Sequence, residues 1–326
     1  MRLLVTGGAG YVGSVTVEAL IEAGHEVLVI DDLRTGHRAA VHPDATFVRA
    51  DVSDEGAVQG ALRENPCEAL LHFAAASLVG DSMSDPHSYF RNNVAGTLAL
   101  LRAVNAQGVE RVVFSSSAAL YGTPERTPIP ESAQLAPESV YGETKLQIER
   151  TLQWLARTLG LASVALRYFN AAAASAERGE DHQPETHLIP IVLEVAIGER
   201  AEVQVFGDDY PTPDGTAVRD YIHVLDLADA HVRALGALEP GEAKAYNLGN
   251  GSGASVAEVI AVVSEVTGVQ VPSRVAPRRP GDPPVLVADS SLAERELGWK
   301  PARPSLSEIV ADAWRWRQAH PNGYQD

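Results

Sequence analysis

Short apolar runs recur through the first half of the chain, separated by longer stretches whose apolar residues fall at helical spacing. Leu3-Leu4-Val5, Val27-Leu28-Val29-Ile30, Thr46-Phe47-Val48, Ala69-Leu70-Leu71-His72-Phe73, Arg111-Val112-Val113-Phe114 and Ser163-Val164-Ala165-Leu166 read as six strands. Strands separated by helices of this size predict βαβ units and a parallel sheet. Right-handed crossovers then make the fold a doubly wound α/β sheet. The spacing also predicts two long helices, over residues 86–106 and 140–159, which flank the sheet and could pair with a second subunit.

Beyond Arg167 the rhythm is lost. Residues 171–186 contain Ala, Glu and His without a clear period, while residues 208–215 and 278–284 read as loops from their Gly, Pro and Asp content. Loops of this length usually serve ligands. The expected organisation is a first domain over residues 1–170. A smaller C-terminal α/β lobe over residues 171–326 binds substrate and returns some segments to the first domain.

Candidate chemistry begins where the first strand ends. Thr6-Gly7-Gly8-Ala9-Gly10-Tyr11-Val12-Gly13 joins that strand to a helix running through Glu22. Gly7, Gly10 and Gly13 remove side chains where a backbone must turn tightly and approach a pyrophosphate, and the helix N-terminus offers free N–H groups and a positive dipole end. Asp31, followed by Asp32, closes the second strand, as the dinucleotide fingerprint of a Rossmann-like fold requires. The Asp31 carboxylate can accept from both adenosine ribose hydroxyls and repels a 2′-phosphate, which favours NAD; Arg34 close by keeps NADP as the alternative. Asp51-Val52 reads either as an adenine contact or, through Asp51, as a helix N-cap. Phe73-Ala74-Ala75 leaves the fourth strand with small residues that admit a cofactor. Asn93 interrupts a helix, so its amide needs a partner in strand backbone or cofactor.

A second constellation lies downstream. Ser115-Ser116-Ser117 closes the fifth strand, and carboxyl ends of parallel strands face the ligand crevice. Tyr141 and Lys145 are four apart at the start of a helix and share one face. A phenol of pKa ~10 is a weak base at neutral pH. A neighbouring ammonium and a nicotinium ring would both lower it, and a serine can relay the proton.

Composition narrows the partners. The 326 residues carry 26 Lys and Arg against 43 Asp and Glu, a net charge of −17, which argues against nucleic acid and anionic membranes. No apolar run reaches the ~18 residues of a membrane helix, and no signal peptide is read at the N-terminus. The single cysteine, Cys67, excludes an internal disulfide framework and is read as packing in a reducing cytoplasm. No metal site is expected.

The glycine string, Ser117, Tyr141-x-x-x-Lys145 and Arg167-Tyr168-Phe169-Asn170 together resemble the extended short-chain dehydrogenase/reductase family. The stretch from Phe206 through Arg219-Asp220-Tyr221 to Val224, the string Ala276 to Asp282, and Leu297-Gly298-Trp299 narrow the resemblance to its UDP-glucose 4-epimerase branch, and the match runs the length of the chain. The resemblance implies an isomerase of galactose metabolism that keeps NAD tightly bound. Tyr141 takes the sugar O4 proton, the C4 hydride passes to NAD⁺, and the 4-keto sugar turns over before hydride returns to its other face. It implies Ser117 as proton shuttle and substrate ligand, with Ser115 and Tyr168 on the cofactor. Asn170, Arg219 and Arg279 hold the diphosphate, which suits the guanidinium fork. Phe206 flanks the uracil, Leu188 after His187 meets it through backbone, Asp282 binds the uridine ribose, and Phe169 and Tyr221 join the substrate site. Leu286 walls the sugar pocket. A homodimer through the two long helices is implied as well.

Read residue by residue, Arg219 with Asp220 also fits a surface ion pair, Phe206 and Phe169 also fit plain core, and Leu286 also fits an ordinary strand position. The chain departs from part of the branch at Ser77, Ala119 and His187. Three rival readings stand beside epimerisation. A nucleotide-sugar 4,6-dehydratase needs an Asp-Glu pair where this chain has Ala118-Ala119. A dehydrogenase or reductase that exchanges its cofactor differs by cofactor retention, and a nucleotide-sensing module without catalysis tends to lose the tyrosine.

Overall fold

The structure is a computed structural model that describes residues 1–279 and 282–325. The six apolar runs form β1 (Arg2–Thr6), β2 (Glu26–Asp31), β3 (Thr46–Arg49), β4 (Ala69–His72), β5 (Arg111–Ser117) and β6 (Ala162–Tyr168). Each pairs in parallel with its neighbours, and a distant segment, β7 (Ala243–Leu248), adds a seventh parallel strand beside β6. The order β7-β6-β5-β4-β1-β2-β3 reverses direction of travel between β1 and β4. That reversal opens a crevice at the carboxyl ends of the strands. Leu3, Leu4 and Val5 are fully buried, because a central parallel strand is covered on both faces and reads as continuous apolar sequence.

Helices pack on both faces. α1 (Tyr11–Glu22) opens at Gly10, and α2 (Glu55–Glu64) is capped by Asp54, whose carboxylate accepts from the Ala57 N–H. The N-cap reading of Asp51 is therefore corrected: the cap is three residues later. The long helix expected over residues 86–106 is continuous in path but mixed in winding. A short α-helix (Pro86–Tyr89) leads through a π-helical turn (Phe90–Ala95) into α3 (Gly96–Asn105). A π turn inserts one extra residue, and such turns gather at functional sites. The second expected helix, α4 (Val140–Leu159), runs over the expected span, from a Ser139 cap on the Gly142 N–H to a left-handed Gly160.

Part of the remaining chain packs around a second core. α5 (Leu188–Ala196), α7 (Val256–Thr267) and α8 (Leu306–Ala319) share a core containing Ile189, Val192, Val259, Val263 and Ile309. Between α5 and α7 the chain goes back to the first body. α6 (Val224–Ala234) packs on α1, and β7 joins the large sheet.

Candidate active site

A cavity of about 490 Å³ follows the carboxyl edge of the sheet, from the glycine turn across β4 and β5 to the lobe. Gly7, Gly10, Tyr11, Val12 and Gly13 line its floor. At Gly13 the chain itself demands glycine, since a Cβ would stand 2.1 Å from the Gly7 carbonyl oxygen. Gly10 differs: a Cβ there would meet only that same oxygen, at 3.4 Å. The space left by the missing Gly10 side chain opens on the cavity, as a dinucleotide needs.

Asp31 sits buried at the end of β2, where its two carboxylate oxygens accept from the Ala9 N–H at 3.0 Å and the Leu33 N–H at 2.9 Å. Burial raises its pKa and these two bonds oppose the rise. Asp32, Asp51 and Val52 continue the same wall. Arg34, the sequence feature that kept NADP open, is engaged by acids: its guanidinium meets Asp32 at 2.6 Å and Asp51 at 3.1 Å, and donates to the Asn92 amide oxygen at 3.1 Å. A 2′-phosphate entering here would face three carboxylates around one paired cation, so the residues present fit NAD.

Phe73, Ala74 and Ala75 line the cavity beside Ser115, Ser117, Tyr141, Lys145 and Tyr168. Asn93 does not. It lies buried behind the wall, where its amide oxygen accepts from the Ala76 N–H at 2.9 Å, and its amide nitrogen donates to the Ala76 carbonyl and to Thr144 Oγ1, both at 3.0 Å. The cofactor contact expected of Asn93 is corrected: its amide is used by the protein, and Asn92, its neighbour in the π turn, lines the cavity. Asn93 ties the exit of β4 to the helix that carries Tyr141.

Tyr141 and Lys145 do share a face of α4, and Gly142 brings that helix close. A Cβ at Gly142 would stand 2.4 Å from the Ala119 carbonyl oxygen, so glycine lets Tyr141 reach Ser117. Ser117 lies beside the Tyr141 phenol on the cavity wall and favours its ionised form, and its Oγ accepts from the Ala119 N–H at 3.1 Å. Lys145 is buried. Its Nζ donates to the Ser115 carbonyl at 2.8 Å and lies 4.8 Å from the Phe114 ring centre and 5.7 Å from that of Tyr141. Tyr168 bonds Ser115 Oγ through its hydroxyl.

Without cofactor, burial sets the electrostatics of the pair. Desolvation pushes the Tyr141 phenol up to about 12, against the lowering effect of Ser117. Burial pulls Lys145 down to about 7, opposed by Glu149. In the protein alone desolvation dominates at the phenol.

The substrate-side residues divide. Phe169, Asn170, His187, Arg219 and Leu286 line the cavity. Phe206, Asp282 and Arg279 stand outside its lining but link to it. Arg219 forms an ion pair with Asp282, and the Arg279 guanidinium lies 4.0 Å over the Phe206 ring. Pro280 and Gly281 of that string fall outside the described residues. Leu188 opens α5 and packs on the lobe core. Tyr221 is buried in that core, so its expected substrate contact is corrected: strand alternation turns it inward. Asp220 is no partner of Arg219. It is fully buried and accepts from the N–H groups of Asn250, Gly251 and Ala288 at 2.8, 3.1 and 3.0 Å. Cys67 is half-buried and its thiol is pushed up to about 12 by burial, as suits packing.

Sequence reasoning missed Glu180 and His182, which line the cavity beside His187. Burial alone would raise Glu180, but His187 and His182 hold it down to about 2. The only sequence signal was Glu and His recurring in an aperiodic stretch.

The profile of the NAD dependent epimerase/dehydratase family matches residues 3–249. A UDP-glucose 4-epimerase of Halalkalibacterium halodurans is 50% identical over 327 residues, covering 99% of this chain and 98% of that one. The crystal structure of a UDP-glucose 4-epimerase from Stenotrophomonas maltophila, with bound NAD and formylated UDP-arabinopyranose, superposes with a TM-score of 0.94 at 44% identity, covering 98% and 99% of the two chains. That of Bifidobacterium longum, in complex with NAD⁺ and UDP, gives 0.95 at 38% identity over 99% and 100%. With the Rossmann-like sheet, the glycine turn and the Ser117–Tyr141–Lys145 cluster, these likenesses place the chain in the NAD dependent epimerase/dehydratase family, among the UDP-glucose 4-epimerases.

Proposed function

We propose that the chain interconverts UDP-glucose and UDP-galactose by reversible oxidation at the sugar C4. The observation that carries this reading is the convergence of Ser117, Tyr141 and buried Lys145 on the cavity that the glycine turn floors. Gly10 and Asp31 hold NAD, which when bound supplies the hydride acceptor and then the donor at C4. Tyr141, as phenolate, takes the O4 proton directly or through Ser117, and returns it when the product hydroxyl forms. Lys145, fixed on the Ser115 carbonyl, keeps a positive group near that phenol. Asn170 and Arg219 bind the diphosphate, for which Arg219 must release Asp282; that release frees Asp282 for the uridine ribose. Phe206 takes the uracil when Arg279 swings from its ring to the phosphates. Ala118 and Ala119 offer no acid for elimination of water, which disfavours a dehydratase.

The test uses gel-filtered protein with no added cofactor. It should convert UDP-galactose to UDP-glucose, followed by NMR, and release NAD rather than NADP on acid denaturation. Net reduction of added NAD⁺ without an epimerised product, or release of mainly NADP, would overturn the reading.

Substrate range follows from Leu286. Its side chain lines the cavity and packs with Phe169 against Leu120, Tyr121 and Leu146, while its carbonyl accepts from the Asp220 N–H at 3.0 Å. Leucine is shorter than tyrosine and has no hydroxyl to anchor it. The glucose/galactose pair is expected to dominate, with weak activity on UDP-GlcNAc, because steric selection in an apolar pocket is worth only ~1–3 kcal/mol. Leu286→Tyr should suppress the acetamido activity and spare the other. If both fall together, or neither moves, Leu286 is not the gate.

The chain acts as a homodimer in the cytoplasm, where a reducing environment suits the single thiol. Leu98 on α3 and Trp154 on α4 are large, apolar and exposed, the latter by 63%, as residues awaiting a symmetry mate would be. Light scattering at micromolar protein should give twice the chain mass, and dissociation on Trp154→Glu would locate the contact on α4. A monomer mass for the unaltered protein would refute the dimer.

A further inference from the structure

The cavity rim carries a second cluster that the epimerisation chemistry leaves unused. Glu180, His182, Glu185 and His187 come from one eight-residue segment, and one ligand atom from each lies within 4.8 Å of all the others. His187 Nδ1 stands 2.6 Å from a Glu180 oxygen and 3.0 Å from a Glu185 oxygen, and His182 Nδ1 is 3.2 Å from Glu180. The two carboxylates are nearly sealed, with side chains 7% and 6% exposed. Among the described residues neither forms an ion pair with a lysine or arginine; their ionic partners are the histidines alone. Glu185 also accepts from the backbone N–H groups of Thr186 and His187, at 2.6 and 2.7 Å; two crowded, buried carboxylates without a lysine or arginine are a place where a dication supplies charge.

We propose that these four side chains bind a structural divalent transition-metal ion of the zinc class. Two imidazole nitrogens and two carboxylate oxygens give a four-coordinate N₂O₂ set, which suits Zn²⁺ and is too nitrogen-rich for Ca²⁺ or Mg²⁺. The site has a structural position as well. Residues 173–187 link the Asn170–Ala172 strand to α5 without a helix or strand of their own. The His182 ring meets the Tyr11 ring edge-on with centres 6.4 Å apart, and Tyr11 donates its hydroxyl to the Ala173 carbonyl at 2.7 Å. An ion on the cluster would clip this link against the glycine turn at one end and set the start of α5 at the other. It orders the rim of the cavity and touches no reacting atom.

The test is metal content and its consequence for stability, read apart from turnover. Tag-free protein grown with added zinc should carry about one Zn²⁺ per chain after gel filtration. Treatment with a strong chelator should lower the melting temperature by several degrees, and ZnCl₂ should restore it. Co²⁺ in place of zinc should give the visible absorption of a four-coordinate site. His182→Ala and Glu185→Gln should each lose the metal and the chelator response; a circular dichroism spectrum like that of the unaltered protein shows that they fold. Less than about one tenth of an equivalent of metal, with no shift of melting temperature on adding Zn²⁺ or Co²⁺, would overturn the proposal. So would full metal retention in both variants. Neither outcome bears on epimerisation, which is read from sugar products.

Discussion

Tyr141→Phe should lower turnover of UDP-galactose by at least ~10²-fold, the usual scale for loss of a general base, while UDP binding changes little. The substitution keeps the ring in place on α4 and removes only the hydroxyl beside Ser117. Its pH companion is Lys145→Met. Desolvation lifts the phenol to about 12 in the protein alone, so catalysis near neutral pH depends on positive charge brought near it. The base is active only when deprotonated, so the rate rises as pH passes upward through its pKa. Removing the ammonium raises that pKa further and moves the acid limb of the pH profile to higher pH. The loss should therefore be largest at low pH and partly recovered at high pH, which a merely structural defect would not produce. A Tyr141→Phe protein with near-native turnover would sink the mechanism, and an unmoved acid limb in Lys145→Met would show that the ammonium does not tune the phenol.

The features legible in the sequence are those written in neighbouring residues. Leu3-Leu4-Val5 followed by glycines announces a buried strand entering a ligand turn, and the strand ends at Asp31 and Ser117 follow from the same alternation. Tyr141 and Lys145 need only helical spacing to share a face. The π turn at Phe90–Ala95 is harder, because one added residue barely disturbs an apolar pattern of period 3.6. Asn93 reads as an amide needing a partner, but choosing between cofactor and the Ala76 backbone depends on how β4 leaves the sheet. Pairings across long separations were illegible for the same reason. Arg219 meets Asp282, 63 residues away, and not its neighbour Asp220, because strand alternation sends adjacent side chains to opposite sides. The Glu180–His187 segment has its ligands close in sequence, yet without periodic structure nothing there foretold that four side chains would converge.

The largest effect on stability should come from a buried group that no motif revealed. Glu149 stands one turn beyond Lys145 on α4, buried, and its carboxylate meets Arg167 at 3.0 and 2.6 Å and accepts from Ser116 Oγ at 2.5 Å. Arg167 in turn donates to the Tyr121 hydroxyl at 2.9 Å, and Tyr121 to the Asn247 amide oxygen at 2.7 Å. This one network joins α4, β5, β6 and β7 directly beneath the catalytic serine and lysine. Glu149→Ala leaves the Arg167 guanidinium buried without its counter-charge, a change that costs about 3–5 kcal/mol. Urea denaturation should show a loss of that size. The double variant Glu149→Leu with Arg167→Met should recover much of it, since replacing both charges by apolar groups removes the unpaired ion. Glu149 also opposes burial at Lys145, so Glu149→Gln should make the ammonium easier to deprotonate. Its activity at high pH should fall earlier than that of the unaltered protein, a shift that lost stability alone would not give. A Glu149→Ala loss below about 1 kcal/mol would mean that water reaches Arg167 and that the network does not hold the catalytic helix to the sheet.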